Sequence, residues 1–430
     1  MKFASTRSAA PAVGLSEALR AGLAPDGGLY VPQPVPRAAV AGFEGADSLA
    51  LVAERLLAPY FAGDALAAAL PAICREALDL PVPRVALDAD TSVLELFHGP
   101  TAAFKDFGAR FLAACLARVR GADEAPITIL VATSGDTGSA VAAAFHRRPG
   151  FRVAILYPDG RVSPRQAHQL GCLGDNVHAF RVAGSFDDCQ RLVKQAFADA
   201  ELRQRVPLAS ANSISLGRLL PQAAYYAHAA LAHARTGAPP LGFVVPTGNL
   251  GNAFAALLAR AMGLPIGRIH LATNANRTLP DFLASARYEG RASVATLANA
   301  MDVGDPSNAE RLRWLFPDIA ALRAVVSADA VDDATIAARI REGEARHGQV
   351  WCPHTACAIE VLHRRRAAGD TTPLCVVATA HPAKFDTVVE PLVGHAVPLP
   401  PALAAMLARP SRDEALAAEF ADLRARLLAL

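Results

Sequence analysis

The chain has 430 residues, enough for a large buried core and two or three domains. Its 42 Lys and Arg nearly balance its 40 Asp and Glu, so no global field draws nucleic acid or an anionic membrane to it. Although 52% of residues are hydrophobic, none of the apolar runs reaches the roughly eighteen residues of a membrane span, and the N-terminus lacks the apolar core of a secretory signal. A cytoplasmic protein is expected.

Residues 1–93 carry amphipathic helical patterns, such as SLALVAERLLAPYF and DALAAALPAICREAL, separated by Pro and Gly turns. They predict an N-terminal, mainly helical domain. The stretch from Leu94 to Leu116 is different. Phe97 to Thr101 reads as a turn, and the recurrence of Phe104, Phe107, Phe111 and Cys115 predicts a helix after it. Lys105 falls in its first turn, where the helix dipole disfavours a cation, and its own stripe of Gly108, Ala109, Leu112 and Leu116 is apolar. Asp106 and Arg110 mark the expected wet face. A lysine so placed should have a lowered pKa, the property that Schiff-base chemistry requires of an amine. A long aliphatic stem that carries its charge out to water explains the same local pattern.

From residue 126 strands alternate with helices. ITILVA, VAILY and Val177–Val182 are apolar strand signals, each followed by a helix, which argues for a parallel sheet with crossovers. A smaller α/β domain over 126–234 is expected, and a larger one made of 94–125 with 235–430. Loops that follow the apolar strands concentrate polar groups. Ser134, Gly135, Asp136, Thr137, Gly138 and Ser139 offer two glycines, three hydroxyls and a helix N-terminus, a seat for an anion in which Asp136 is the odd member. Asn212 and Ser213 stand just before a helix bearing Arg218, which suits a second anion. Gly248, Asn249, Leu250, Gly251 and Asn252 join a strand to a helix as a phosphate cradle, without the Walker or dinucleotide pattern. Thr379 and His381 end the last strand, Leu374 to Ala378, at an edge where open α/β sheets place ligands.

The 7 cysteines are odd in number, scattered and without a C-x-x-C pair. Cys352 and Cys357 flank His354 but lack the tight spacing and full ligand set of a zinc site, so no metal is expected. A reactive lysine, a phosphate cradle and further anion seats form a coherent set. They point to pyridoxal 5'-phosphate held by Lys105 and acting on an anionic small molecule.

ELFHGPTAAFKDFGARF, VATSGDTGSA, ANSISLGRLLPQ, VPTGNLGN, AMDVGDPSN and ATAHPAKF, in this order, span nearly the whole chain. In this set the chain resembles the longer threonine synthases within the fold type II (tryptophan-synthase-β-like) pyridoxal-phosphate enzymes. The resemblance implies an α/β protein of two three-layer domains with mostly parallel sheets, plus an N-terminal helical region. It implies that Lys105 bears the cofactor, that Gly248 to Asn252 hold its phosphate, and that Thr379 is a neutral neighbour of the pyridine nitrogen. Ser134, Thr137, Ser139, Asn212, Ser213 and Arg218 would bind O-phosphohomoserine. In the implied β,γ-replacement Lys105 takes the Cα proton, phosphate leaves Cγ and water adds at Cβ to give L-threonine. Many members of this fold have Asn where Asp136 stands, beside the cofactor's phenolic oxygen. The role of Asp136 is left open, as is the choice between monomer and homodimer. Rival readings are a dehydratase-like lyase, a phosphoserine-using synthase and a non-catalytic binding protein on the same fold.

Overall fold

The computed structural model describes residues 1–121 and 123–430. The strands are β1 (Lys2–Ser5), β2 (Tyr30–Gln33), β3 (Arg84–Ala86), β4 (Thr91–Glu95), β5 (Ile127–Ala132), β6 (Phe151–Pro158), β7 (Val177–Ala183), β8 (Leu208–Ser210), β9 (Leu241–Pro246), β10 (Ile266–Thr273), β11 (Val326–Ala330), β12 (Leu374–Ala378) and β13 (Glu414–Ala417). The larger sheet has the order β11-β10-β9-β12-β4-β3, and only β3 runs antiparallel to its neighbour. The smaller sheet, β13-β7-β6-β5-β8, is parallel throughout. Strands such as β9 and β12 are buried at every residue, the pattern of sheets covered on both faces by crossover helices. In both sheets the loops leaving the C-terminal ends of the strands carry the polar motifs.

Two boundaries differ from the sequence expectation. The strands β3 and β4 join the larger sheet, so the N-terminal unit of β1, β2 and the helices Leu15–Ala21, Leu49–Phe61 and Leu70–Leu78 gives way before residue 93. The tail does not belong wholly to the larger unit either. Residues Glu414–Ala417 pair with β7, and Leu416, Leu423 and Leu427 bury against the smaller sheet. Glu-Ala-Leu-Ala has helical propensity, but the open edge of β7 supplies backbone partners and a site for Leu416, and these prevail.

The N-terminal unit is tied to the rest by a buried guanidinium. Arg311 donates from Nε (3.1 Å) and Nη2 (2.9 Å) to the Tyr30 carbonyl, and from Nη1 to Asn308 Oδ1 at 2.7 Å. The Asn308 amide in turn donates to the Asn249 carbonyl at 2.9 Å.

Candidate active site

Lys105 is the first residue of the helix Lys105–Val119. The segment before it is pinned to the end of β12: Phe104 N–H donates to Thr379 O (2.8 Å), His381 N–H to Ala102 O (3.0 Å) and Leu96 N–H to Ala378 O (2.9 Å). Ala102 takes a left-handed φ of 54° to make this approach. The lysine is therefore fixed at the C-terminal edge of the larger sheet, its Nζ lying 4.3 Å from the centre of the Phe104 ring. It makes no hydrogen bond or ion pair among the described residues. Burial first, and the Arg218 charge second, press its pKa down to about 7, while the Asp136 charge works the other way.

Asp106 does not face water as its spacing suggested. It turns under the preceding loop, accepting from Thr101 N (2.9 Å) and Thr101 Oγ1 (2.8 Å), and burial pushes its carboxyl up to about 6. Gly99 makes room for it, since a Cβ there would strike the carboxylate. Arg110 is half-buried and donates to the Glu76 and Ala77 carbonyls. The turn's own unmet N–H groups, invisible as a period, decide this orientation.

Gly108 has a specific duty. A Cβ there would lie 2.7 Å from the Arg218 carbonyl oxygen, so the glycine lets the short helix Leu216–Leu219 settle on the lysine helix. Gly108→Ala should displace Arg218 and lower kcat/KM about tenfold or more, because misplacement by about an ångström costs up to about 10²-fold. A steady-state assay with a thermal melt distinguishes this from unfolding.

Arg218 is buried, and its carbonyl and Nη1 face inward, the latter donating to Ala211 O at 2.7 Å. Its Nε has no partner among the described residues, nor does the nearby Ser215 hydroxyl. Burial lowers its pKa to about 10, which leaves it cationic at neutral pH. A buried guanidinium with an unmet Nε and no carboxylate partner among the described residues favours an anion beside it.

The cradle follows β9. Leu250 takes φ 62° and caps the helix Gly251–Ala261. None of the N–H groups of residues 248–252 has an acceptor among the described residues. Gly248 rests on the backbone of Met301, which a Cβ would meet at 2.7 Å. Asn249 is held on two sides, donating to Ser213 Oγ (2.6 Å) and accepting from Ser307 N–H (2.6 Å). Asn252 accepts from the Tyr225 and Tyr226 hydroxyls, while its own amide nitrogen has no partner. A tight backbone turn rich in unmet donors at a helix N-terminus fits a phosphate group.

The other expected residues divide. The hydroxyls of Ser134, Thr137 and Thr379 and the side chain of Asn212 make no hydrogen bond among the described residues, and Thr379 lies buried at the end of β12. The Ser139 hydroxyl, expected to meet substrate, is committed to its own helix: it is buried and donates to the Gly135 and Asp136 carbonyls at 3.4 and 3.2 Å. Thr133, part of the motif but given no role there, holds the loop by accepting from Gly135 and Gly138 N–H. Asp136 accepts from Lys384 Nζ at 2.8 Å and from Gln166 Nε2 at 2.9 Å. Burial raises its pKa, but Lys384, His354 and Gln166 more than offset this and hold it below the usual carboxylate range.

Three participants were not singled out from sequence: Lys384, Gln166 and His354. Lys384 is the penultimate residue of ATAHPAKF, but a lysine after a proline turn carries no local signal. His354 was weighed only beside its cysteines. Cys352 caps the helix Pro353–Ala367, and His354 is buried, accepts from Ala300 N–H at 3.2 Å, and is pressed to about 4 by burial.

A buried lysine with a lowered pKa, a donor-rich turn at a helix N-terminus and a buried cation with an unmet Nε are the equipment that chemistry on a phosphate-bearing aldehyde cofactor requires. Residues 81–381 match the family model described as pyridoxal-phosphate dependent enzyme, and residues 2–78 and 355–426 match those described as threonine synthase N terminus and threonine synthase, C-terminal. Threonine synthase of Serratia marcescens is 41% identical over 432 residues, covering 100% of both chains. The crystal structure of the Escherichia coli threonine synthase superposes with a TM-score of 0.92 at 38% identity over 100% of each chain. That of the PLP-bound Brucella melitensis enzyme gives 0.91 at 37%, covering 100% of this chain and 99% of the other. The chain belongs to the threonine synthase family.

Proposed function

We infer that the protein converts O-phospho-L-homoserine and water to L-threonine and phosphate with pyridoxal phosphate at Lys105. The observation that carries this is the pairing of an amine tuned to about 7 with a buried Arg218 that has an unmet Nε and no carboxylate partner among the described residues. Pyridoxal phosphate, when bound, supplies an electron sink conjugated to the substrate's Cα. The N–H groups of Gly248 to Asn252 and the Asn252 amide suit its phosphate, and the Thr379 hydroxyl suits the ring nitrogen. Near neutral pH Lys105 Nζ is poised both to accept the Cα proton and to return a proton to the carbon skeleton. Arg218, with Asn212 and Ser213 beside it, holds one anionic end of the substrate. Ser134 and Thr137, at the N-terminus of the helix Asp136–Phe145, hold the other. A substrate gripped at both ends aligns its Cα with the lysine.

Among the described residues no helix is long and apolar enough to cross a membrane. The 7 free cysteines suit a reducing cytoplasm as the place of the reaction. A monomer or homodimer suffices for the site as built. Phosphate release is the direct test. Turnover of O-phosphohomoserine with threonine as product is expected, with O-phosphoserine poor. Equal use of the shorter phosphoserine would replace this reading by that of a phosphoserine-using synthase.

A further inference from the structure

Asp136 is a carboxylate where an uncharged amide would suit a pocket built for an anionic cofactor. The structure supplies its counter-charge from the opposite sheet. Lys384 lies in the turn Pro382–Phe385 after β12 of the larger sheet, whereas Asp136 opens the helix after β5 of the smaller one. The lysine side chain is fully buried, with Nζ 2.8 Å from Asp136 Oδ1 and 2.7 Å from Thr101 O. Its backbone is held in turn by the smaller unit: Ser163 Oγ donates to Lys384 O (2.8 Å) and Arg165 Nη1 to Ala383 O (2.6 Å). Gln166, in the same helix as Arg165, donates to Asp136 while its carbonyl accepts from Ser163 N–H and Asn299 Nδ2. Asp136 Oδ2 has no partner among the described residues.

We propose that Lys384 is a positioning residue of the active site: it fixes Asp136 as an aimed, charge-compensated carboxylate and so sets the electrostatic balance around Lys105. The charged and titratable groups that face this pair are Lys105 and Asp106 on the lysine helix, His354 on the helix Pro353–Ala367, and His381 on the turn of Lys384 itself, with Arg218 behind Lys105 and Asp106. Of these, Lys105 is the cation on which the Asp136 charge acts directly. With Lys384 in place the pair is neutral, and a carboxylate becomes tolerable beside a cofactor that is itself an anion. Gln166 and Lys384 both use Oδ1, which leaves Oδ2 as the oxygen to face the ligand. Lys384 thus acts through Asp136 and touches no reacting atom.

This rests on the reading of the Lys105 pocket as the cofactor site, and the test keeps the two apart. The wild-type enzyme, Lys384→Met, Asp136→Asn and the double variant are loaded with pyridoxal phosphate. Absorbance of the bound cofactor is titrated with pH, with thermal melts and kcat/KM measured alongside. Absence of bound-cofactor absorbance in the wild type would sink the cofactor-site reading itself. In Lys384→Met the uncompensated carboxylate should move the absorbance midpoint by about one unit or more, as a lone neighbouring charge does. It should also lower kcat/KM at least about 100-fold. The double variant, with carboxylate and ammonium both removed, should return the midpoint to within about half a unit of wild type and recover at least about tenfold in kcat/KM over Lys384→Met. Should Lys384→Met fail to fold while the double variant folds, the buried lone carboxylate is the fault and the proposal stands. A double variant no better than Lys384→Met in midpoint, melt and rate, or one that also fails to fold, makes Lys384 a packing residue and overturns it.

Discussion

Lys105→Ala should give a protein that folds, shows no covalently attached cofactor after borohydride reduction, and turns over phosphohomoserine at least about 10³-fold more slowly, since a placed general base alone contributes about 10²–10⁴. Mass spectrometry of the reduced protein and a phosphate-release assay check this. A covalent adduct surviving the substitution would remove Lys105 from the centre of the site. The lysine's lowered pKa has a second consequence, with a definite sign. In the cofactor-free chain the folded amine titrates at about 7, against 10.5 as the ordinary value. The unfolded chain therefore holds more protons between these limits, and this group's contribution makes stability rise with pH across that window. Lys105→Met removes the effect, so its melting temperature should exceed that of the wild type by more at pH 6 than at pH 10.

Arg218→Ala should leave the cofactor bound and cut kcat/KM for phosphohomoserine by about 10²–10³, the loss expected when a buried charged hydrogen-bond partner is taken from an anion. It also withdraws the positive charge that helps to keep the lysine amine low, so the pH profile should shift upward. Arg218→Lys should restore little, because Nη1 is already engaged with Ala211 O and a single ammonium cannot serve both that carbonyl and an anion. Unchanged kinetics in Arg218→Ala would show that the substrate anion lies elsewhere.

The strand-loop-helix units that frame the candidate site were legible in the chain. Continuous apolar runs announce buried parallel strands, and glycine-rich polar loops follow them; Lys105, the 248–252 loop and Arg218 each have an ordinary structural reading alone and stand out only as a set. What stayed hidden is what distant segments do for one another. Asp106 looks solvent-facing by helical period, yet it turns inward because the 97–101 turn leaves donors unmet. Ser139 looks available by composition, yet its helix consumes its hydroxyl. Lys384 meets Asp136 across 248 positions of sequence, and no spacing rule reaches that far. The tail strand β13 is likewise decided by a partner edge rather than by its own four residues.

The link from Tyr30 through Arg311 and Asn308 to Asn249 bears on how such a chain can be cut or recombined. Its two ends are the N-terminal unit and the carbonyl of the second residue of the 248–252 loop. A body trimmed of its first strands would strand a guanidinium in a dry interior and slacken the 248–252 loop, the proposed seat of the cofactor phosphate. The N-terminal unit is thus inherited with the pocket as one piece, and an exchange of that unit between relatives is expected to work only when Arg311, Asn308 and the carbonyl they serve travel with it.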